Sequence, residues 1–335
     1  MKKLLNLNIF YDPNYWLKHR KLFNLDFSQS SLFNRYYLSF YKKNNPINDR
    51  YIKSGPQKLV NNLLKSMKNR SDVVFNDKKF KNYYFCNFDS DNFDLVLETV
   101  KIDQNKVIVG PLYTNNDFLK LVDLIKSHNN LKILTASESS KKTMQEVANY
   151  NIDPDKIVVL PVGIKSEKEI FNDFKKERLI KNDCLVYFKG RENSELNFII
   201  DKLNSRNIKF EVFIYGKYNN SELIDTARFS KFGLIYGRTE SQGIAINEIM
   251  STGLPILVFN STVNNYEGKV YKGTTVPYWS NDCGELAEDL EDFDNQLKNF
   301  VNKVELNKYN SQKFVVDNFS NESMFIKLRS IFNNF

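Results

Sequence analysis

The sequence predicts an α/β fold with two Rossmann-like domains followed by C-terminal helices. Short apolar runs alternate with amphipathic segments from about Val73 onward, which is the spacing of βα units. A second series of the same kind begins near Cys184, and 335 residues suffice for two domains of ordinary size. Apolar runs without alternation are typical of parallel strands that helices cover on both faces.

The first series predicts strands with helices between the later ones. The apolar runs that predict strands are Leu4–Phe10, Val73–Phe75, Tyr83–Cys86, Val107–Val109, Leu131–Leu134 and Ile157–Leu160. Between the later strands, apolar residues recur every three to four positions, as on one face of a helix. The helices predicted in this way are Phe118–Ser127 and Lys141–Tyr150.

The second series repeats this order. Its predicted strands are Cys184–Phe188, Phe210–Ile214, Phe232–Leu234 and Ile256–Phe259, and its predicted helices are Glu195–Arg206, Ser221–Ser230 and Ala245–Thr252. The charged stretch Lys165–Asp183 is predicted to be a partly helical linker, and the tail Gly284–Phe335 to be entirely helical. We therefore place the domains at residues 1–165 and 166–319, with a last helix over about 320–335.

Positive charge is concentrated near the N-terminus. Lys and Arg number 48 against 40 Asp and Glu, which gives a formal net charge of +8, yet residues 1–70 alone hold 14 basic and 3 acidic residues. Residues 1–51 interleave these cations with aromatic side chains. That mixture suits an anionic acceptor, an anionic membrane surface or the bases and phosphates of a nucleic acid. No named nucleic-acid motif is present, so nucleic acid is not the expected partner.

Composition argues against several classes of protein. With 41% hydrophobic residues the chain is not expected to be disordered. Cys86, Cys184 and Cys283 are far apart and form no CxxC pair, which fits neither a disulfide framework nor a zinc site and favours a reducing compartment. Asn6 and Asn8 interrupt the apolar start, so no secretory leader is expected. No apolar run approaches the ~18 residues of a membrane span, and we expect a cytoplasmic protein.

The clearest functional signal follows the predicted strand Phe232–Leu234. Glu240 and Glu248 lie eight positions apart, and Gly243 between them allows a tight turn into a helix. Phosphate and sugar oxygens bind readily at such a helix N-terminus. Three backbone amides would point out of it, those of Gln242, Gly243 and Ile244. Glu248, one turn into the helix, would reach a vicinal diol such as that of a ribose.

These residues carry a resemblance to a known family. Glu-x7-Glu with Gly three positions after the first Glu, followed by Ser-Thr-Gly-Leu-Pro-Ile and a strand, resembles the donor-binding signature of retaining GT-B glycosyltransferases, above all family 4. Leu185–Arg191 is similar to the strand and loop that open the family's C-terminal domain, and Val159–Ile164 to the end of its N-terminal domain. The resemblance covers about Ile157 to Phe259.

The resemblance implies a GT-B fold, with two Rossmann-like domains facing a cleft, and an enzyme that transfers a sugar with retention. The last helix would pack back on the N-terminal domain. A UDP- or GDP-linked sugar would be a co-substrate, and no metal or other cofactor is expected. In the C-terminal domain, Lys189 and Arg191 would hold the diphosphate, Glu240 the sugar hydroxyls and Glu248 the ribose. Tyr215 and Lys217, after the next strand, would lie near the base.

The N-terminal domain would bind a glycan or lipid-linked acceptor, at a membrane surface if the acceptor is a lipid. Gly55, in Ser-Gly-Pro-Gln before an amphipathic segment, resembles the family's glycine-rich loop near the donor phosphates, although relatives often have two glycines there. Relatives also often place a histidine near the reacting sugar. Tyr113 lies after the strand where that histidine is missing, and His19 is the other acceptor-site candidate.

Two rival enzyme classes stay open at this point. Asp89 and Asp91 follow the apolar run Tyr83–Phe88, and Asp-x-Asp after a strand is how GT-A glycosyltransferases hold a divalent metal and a nucleotide sugar. A sugar-nucleotide epimerase of the GT-B fold would share the donor site but would need no acceptor. Metal dependence separates the first rival from the GT-B hypothesis, and the product formed from donor alone separates the second.

Overall fold

The chain folds into two compact units. Its computed structural model describes residues 4–12, 55–67, 69–147, 152–174, 180–266, 269–287 and 289–335. Unit 1 comprises Met1–Gly163 and Met324–Phe335, and unit 2 comprises Ile164–Ser323. Each unit is built around one parallel sheet.

Unit 1 contains a six-stranded sheet in the order β2-β1-β3-β4-β5-β6, in which every neighbouring pair is parallel. The strands are β1 (Leu7–Phe10), β2 (Val73–Phe75), β3 (Asn82–Phe88), β4 (Lys106–Tyr113), β5 (Leu131–Thr135) and β6 (Ile157–Val159). The helices among them are α1 (Gly55–Met67), α2 (Phe93–Val100), α3 (Asn115–Ser127) and α4 (Glu138–Val147). A short 3-10 helix, Pro154–Lys156, precedes β6.

The unit 1 sheet is covered on both faces. Alternate residues of β3 point to opposite sides, so Tyr84 and Cys86 lie in one apolar cluster while Tyr83 and Phe85 lie in the other. The first cluster also contains four residues of the chain's last helix, Met324, Phe325, Leu328 and Phe332. Residues from Met324 onward therefore complete the core of unit 1.

Unit 2 contains a five-stranded sheet in the order β13-β10-β9-β7-β8, again parallel throughout. Its strands are β7 (Asn182–Lys189), β8 (Phe210–Ile214), β9 (Ser230–Gly237), β10 (Ile256–Phe259) and β13 (Gly284–Ala287), and β11 (Val263–Tyr266) and β12 (Lys269–Lys272) form a separate antiparallel pair. The helices are α5 (Glu167–Phe174), α6 (Asn193–Ser205), α7 (Asn220–Arg228), α8 (Ile244–Ser251), α9 (Phe293–Glu305), α10 (Ser311–Phe319) and α11 (Asn321–Asn333), which continues into unit 1. A 3-10 turn, Asn281–Cys283, precedes β13.

Most predicted strands and helices are present, with ends that shift by a few residues. The prediction that the tail from Gly284 is entirely helical is wrong, because Gly284–Ala287 is strand β13 and pairs with β10. Gly284 adopts a φ of +145°, and a Cβ at this position would lie 1.8 Å from the Ile256 carbonyl oxygen. This close approach of two strands excludes every residue except glycine. The β11–β12 pair was not predicted, and Ser230, predicted to end a helix, begins β9.

The three cysteines are free thiols in the interior. Burial raises the pKa of Cys283 to about 12, so this thiol stays protonated at neutral pH. Among the described residues, no helix combines the length and apolarity that crossing a bilayer requires.

A buried carboxylate joins three segments of unit 1. Asp72 is 4% exposed and accepts hydrogen bonds from the Leu5 amide (2.9 Å) and from Nε of Arg70 (3.1 Å). The Arg70 guanidinium in turn lies 3.4 Å from the Phe325 ring centroid. Burial alone would raise the pKa of Asp72, but the Leu5 amide and the Arg70 charge outweigh it and hold that pKa below its ordinary value.

We expect Asp72→Asn to lower the free energy of unfolding by about 1–3 kcal/mol at pH 7. The neutral carboxamide is a weaker acceptor for the Arg70 guanidinium and the Leu5 amide than the carboxylate is. Since the folded pKa is depressed, the contribution of Asp72 is complete above the ordinary carboxyl pKa of about 3.9 and is lost as the pH falls through the folded value. Urea denaturation near pH 7 and near pH 3 measures both effects. Asp77→Asn, at an exposed position, is the control, and equal stability of the two variants at pH 7 would contradict the role of Asp72.

Candidate active site

The predicted donor residues lie where three adjacent strands of unit 2 end. In the parallel sheet, Phe188 is paired with Ile214 at the end of β8, and Lys189 with Gly237 at the end of β9. The carboxyl ends of β8, β7 and β9 therefore meet at one edge. In open α/β sheets this is the edge at which ligands bind.

Lys189 and Glu240 form the central contact of this edge. The ammonium Nζ of Lys189 lies 2.6 Å from Oε1 of Glu240, and the two side chains are 24% and 15% exposed. The same ammonium lies 4.3 Å from the ring centroid of Tyr215, which follows β8. Lys189 is thus held between a carboxylate and an aromatic face, at a site that solvent still reaches.

Arg191 follows Lys189 by two residues and is anchored to the end of β9 through one nitrogen. Its Nε donates to the Gly237 carbonyl (3.1 Å), and its guanidinium lies 4.6 Å from the Tyr236 ring centroid. The Tyr236 hydroxyl donates to Glu195 (2.7 Å), which also caps the start of α6. The terminal NH₂ groups of Arg191 form no hydrogen bond with the described residues, so the guanidinium can present them to an anion.

A turn at Gly190 separates Lys189 from Arg191 at the end of β7. Gly190 has a φ of +65°, and a Cβ there would lie 3.0 Å from side-chain atoms of Arg238. Arg238 is exposed, donates its backbone N–H to the Lys189 carbonyl (3.1 Å) and its Nε to the Gly190 carbonyl. This arginine is therefore part of the turn rather than a separate surface residue.

Helix α8 supplies the second half of the predicted motif. Gly243 caps its N-terminus with φ 73° and ψ 45°, the left-handed conformation that glycine adopts without strain. The Asn247 side chain donates to the Gln242 carbonyl (3.2 Å), and both residues are buried. Glu248, on the first turns of α8, is 8% exposed. The backbone at Glu240 is fixed separately, because its amide donates to the Thr274 carbonyl (2.9 Å).

Two tyrosines meet near the ends of β7 and β8. Tyr187 on β7 and Tyr218 after β8 meet edge to face, with ring centroids 6.1 Å apart. Burial raises the pKa of Tyr218, and the carboxylates of Glu248 and Glu240 raise it further. Burial likewise raises the pKa of Tyr187, with a contribution from Glu240. Both phenols therefore remain neutral at physiological pH.

The remaining predicted site residues are Lys217, Gly55, Tyr113 and His19. Lys217 is exposed in the turn after β8, where its amide donates to the Ile214 carbonyl (2.9 Å). Gly55 is the first residue of α1 in unit 1. Tyr113, at the end of β4, stacks on Phe118 with ring centroids 5.0 Å apart. His19, together with most of the basic N-terminal segment, lies outside the described residues.

The Asp89–Asp91 pair forms a turn after β3. Asp89 is 4% exposed, and its Oδ1 accepts from the amides of Asp91 (3.0 Å) and Asn92 (3.2 Å). Within the described ranges, no group of three or more His, Cys, Asp or Glu residues is arranged to hold a metal ion. The hydrogen bonds of Asp89 therefore have a local explanation, the closure of this turn.

Sequence reasoning missed three residues that shape the site. The Tyr236 ring lies against the Arg191 guanidinium, Tyr218 packs edge to face on Tyr187, and Asn260 accepts hydrogen bonds from the segment that holds Glu240. Asn260 directly follows β10 and Tyr218 lies four residues beyond β8. The rule that ligand-binding residues follow parallel strands would have pointed to both.

Comparisons with known proteins give a match by structure alone. No family model matches the sequence, and no curated protein sequence matches it. A glycosyltransferase from Rickettsia africae ESF-5 is similar over 98% of this chain and 97% of its own, with a TM-score of 0.53 at 14% sequence identity. The chain has the GT-B fold. Its two parallel sheets and C-terminal helices confirm the predicted fold class and remove the GT-A interpretation of Asp89 and Asp91.

Two further solved structures match with TM-scores below 0.5. S. aureus TarM, in complex with Fondaparinux, alpha-GlcNAc-glycerol and UDP, has a TM-score of 0.49 at 14% identity over 84% of this chain. The lipopolysaccharide outer core galactosyltransferase WaaB has a TM-score of 0.44 at 12% identity, with coverage of 83% of this chain and 79% of its own. The chain spans 59% of the length of TarM.

Proposed function

We propose that the chain is a glycosyltransferase that moves a sugar from a UDP- or GDP-linked donor to a hydroxyl group of an acceptor. The observation that carries this proposal is the cluster of Lys189, Arg191 and Glu240 at adjacent strand ends of unit 2. Two cations and a carboxylate at this edge match the two halves of a nucleotide-sugar, a diphosphate and a polyhydroxylated ring. The GT-B fold, shared with a glycosyltransferase, is the framework in which we interpret them.

In this proposal Lys189 and Arg191 bind the diphosphate. The leaving group of glycosyl transfer is a nucleoside diphosphate, and its growing negative charge must be stabilised in the transition state. Arg191 offers a planar pair of NH₂ groups to phosphate oxygens, while Lys189 offers a point charge. Because these cations supply the positive charge, we expect transfer to continue in excess EDTA.

Glu240 and the start of α8 bind the rest of the donor. We assign Glu240 to the sugar hydroxyls, with the amides of Gln242, Gly243 and Ile244 beside it. Glu248 is assigned to the ribose, and Tyr215 and Lys217 to the neighbourhood of the base. Gly55 belongs to the proposal only through its resemblance to the loop near the donor phosphates.

The acceptor is assigned to unit 1. Tyr113 and His19 are the candidates for contacts with it, and retention at the anomeric carbon is the expected stereochemistry. A glycan or a lipid-linked acceptor fits, and the basic residues of positions 1–70 would favour an anionic one or a peripheral contact with an anionic membrane. We expect the reaction to take place in the cytoplasm, with no nucleic acid involved.

The first experiment is a thermal-shift screen of the full chain with UDP, GDP, ADP and their common sugar conjugates. A ligand that binds only the folded state raises the Tm. At a ligand concentration of a hundred times the Kd, it adds about 2.7 kcal/mol to the free energy of unfolding. We expect a uridine or guanosine diphosphate compound to do so. No shift with any nucleotide would contradict the proposal, and conversion of the donor sugar without acceptor would indicate an epimerase instead.

Glu240→Gln tests the assigned site. The variant loses the charge that accepts hydrogen bonds from the donor sugar, and we expect kcat to fall by about 10²–10³-fold while the Tm in the absence of ligand changes little. Radiolabelled sugar transfer to the acceptor measures the rate. Glu222→Gln, at an exposed residue on α7 of the same unit, is the control, and near-normal transfer by Glu240→Gln would refute the assignment.

The same variant should bind the diphosphate product more tightly. Without ligand, Glu240 forms an ion pair with Lys189 at 2.6 Å, so an incoming phosphate must compete with this carboxylate. At such a partly shielded pair, removing the competing charge should make the binding free energy of UDP or GDP more favourable by about 1 kcal/mol. This corresponds to a Kd about fivefold lower, which calorimetry measures. Glu222→Gln, which removes an exposed carboxylate on α7, is again the control. Unchanged or weaker binding by Glu240→Gln would show that the ion pair does not compete with the ligand.

A further inference from the structure

We propose that Asn260 is a positioning residue that fixes both Glu240 and Arg191 from the base of the β11–β12 hairpin. The inference rests on the proposed function, because it concerns the same site. Asn260 directly follows the last residue of β10, and its backbone amide donates to the Ala287 carbonyl at the end of β13 (2.7 Å). Its main chain is therefore tied to two neighbouring strands of the unit 2 sheet.

The side chain of Asn260 holds the segment that returns from the hairpin. Its Oδ1 accepts from the Thr274 hydroxyl (2.8 Å) and from the Thr275 amide (2.8 Å). The hairpin itself is closed at its base, where the Gly273 amide donates to the Thr262 carbonyl (2.9 Å). One carboxamide oxygen thus ties Thr274 and Thr275 to the end of β10.

One arm of this network leads to Glu240. The Thr274 carbonyl accepts the Glu240 amide at 2.9 Å. Glu240 lies in the loop between β9 and α8, outside any helix or strand. Its position therefore depends on hydrogen bonds of this kind rather than on a regular ladder. Moving Thr274 would move the carboxylate away from Lys189.

The other arm leads to Arg191. The Thr275 hydroxyl donates to the Gly237 carbonyl (3.3 Å) and accepts from the Ser261 amide (2.8 Å). The same Gly237 carbonyl accepts Nε of Arg191 (3.1 Å). Thr275 is fully buried, so these bonds are made away from water, where losing a partner is costly. Asn260 is the point from which both arms start.

The test compares Asn260→Ala with Asn260→Asp, which keeps the oxygen acceptors. Both are measured in the full chain, far below the Tm, for transfer from the donor found in the thermal-shift screen. A displacement of about 1 Å in a catalytic group costs about 10²-fold, so we expect Asn260→Ala to lower kcat by at least about tenfold. Asn260→Asp should recover a large part of this loss. Thr275→Val removes the hydroxyl that bonds Gly237 and Ser261 but keeps the Thr275 amide that donates to Asn260. It should raise the donor KM more than it lowers kcat.

Asn310→Ala is the control for stability. Asn310 caps α10 in the same unit through the Lys313 amide (3.2 Å), so its loss lowers the Tm but should leave kcat and KM unchanged. If Asn260→Ala transfers sugar as fast as the unaltered chain, the role of Asn260 is overturned, while the proposed function is unaffected. If that variant does not fold, unchanged donor KM in Thr275→Val would overturn that role. No transfer by the unaltered chain with any nucleotide sugar would overturn the proposed function and this inference with it.

Discussion

The ion pair between Lys189 and Glu240 is the contact on which the candidate active site depends. It joins the end of β7 to the loop after β9, and it forms because these parallel strands are paired up to Lys189 and Gly237. Both side chains are mostly shielded from water, which strengthens their attraction, yet they remain open to a ligand. The carboxylate that we assign to the donor sugar is thus kept in place by the cation that we assign to the neighbouring phosphate.

The support for this pair is a small set of buried hydrogen bonds above an apolar sheet. The Gly237 carbonyl accepts hydrogen bonds from Nε of Arg191 and from the Thr275 hydroxyl, and the Thr274 carbonyl accepts one from the Glu240 amide. Below them, alternate residues of β7 such as Leu185 and Val186 are fully buried in opposite clusters. A rigid apolar base with a satisfied polar layer is the arrangement that preorganises charged groups with little further movement.

Local sequence patterns predicted most of the strands and helices and the main residues of the candidate active site. Gly243 and the Glu-x7-Glu spacing identify a strand, a turn and a helix within one short window, and Lys189 and Arg191 directly follow an apolar run. Strand β13 was missed because its short sequence has no strand pattern of its own, and its pairing with β10 decides its conformation. Asn260 was missed for the same kind of reason. Its partners are fourteen and fifteen residues away, and only the closure of the hairpin brings them together.

The central claim is that a nucleoside diphosphate binds at the carboxyl edge of the unit 2 sheet. Amide hydrogen exchange of the full chain, followed by mass spectrometry with and without saturating UDP or GDP, tests it most directly. The loops that follow β7 and β9, residues 190–192 and 238–243, together with the start of α8, should exchange more slowly in the presence of ligand. Protection confined to other segments, with these loops unchanged, would contradict the claim and place the nucleotide elsewhere.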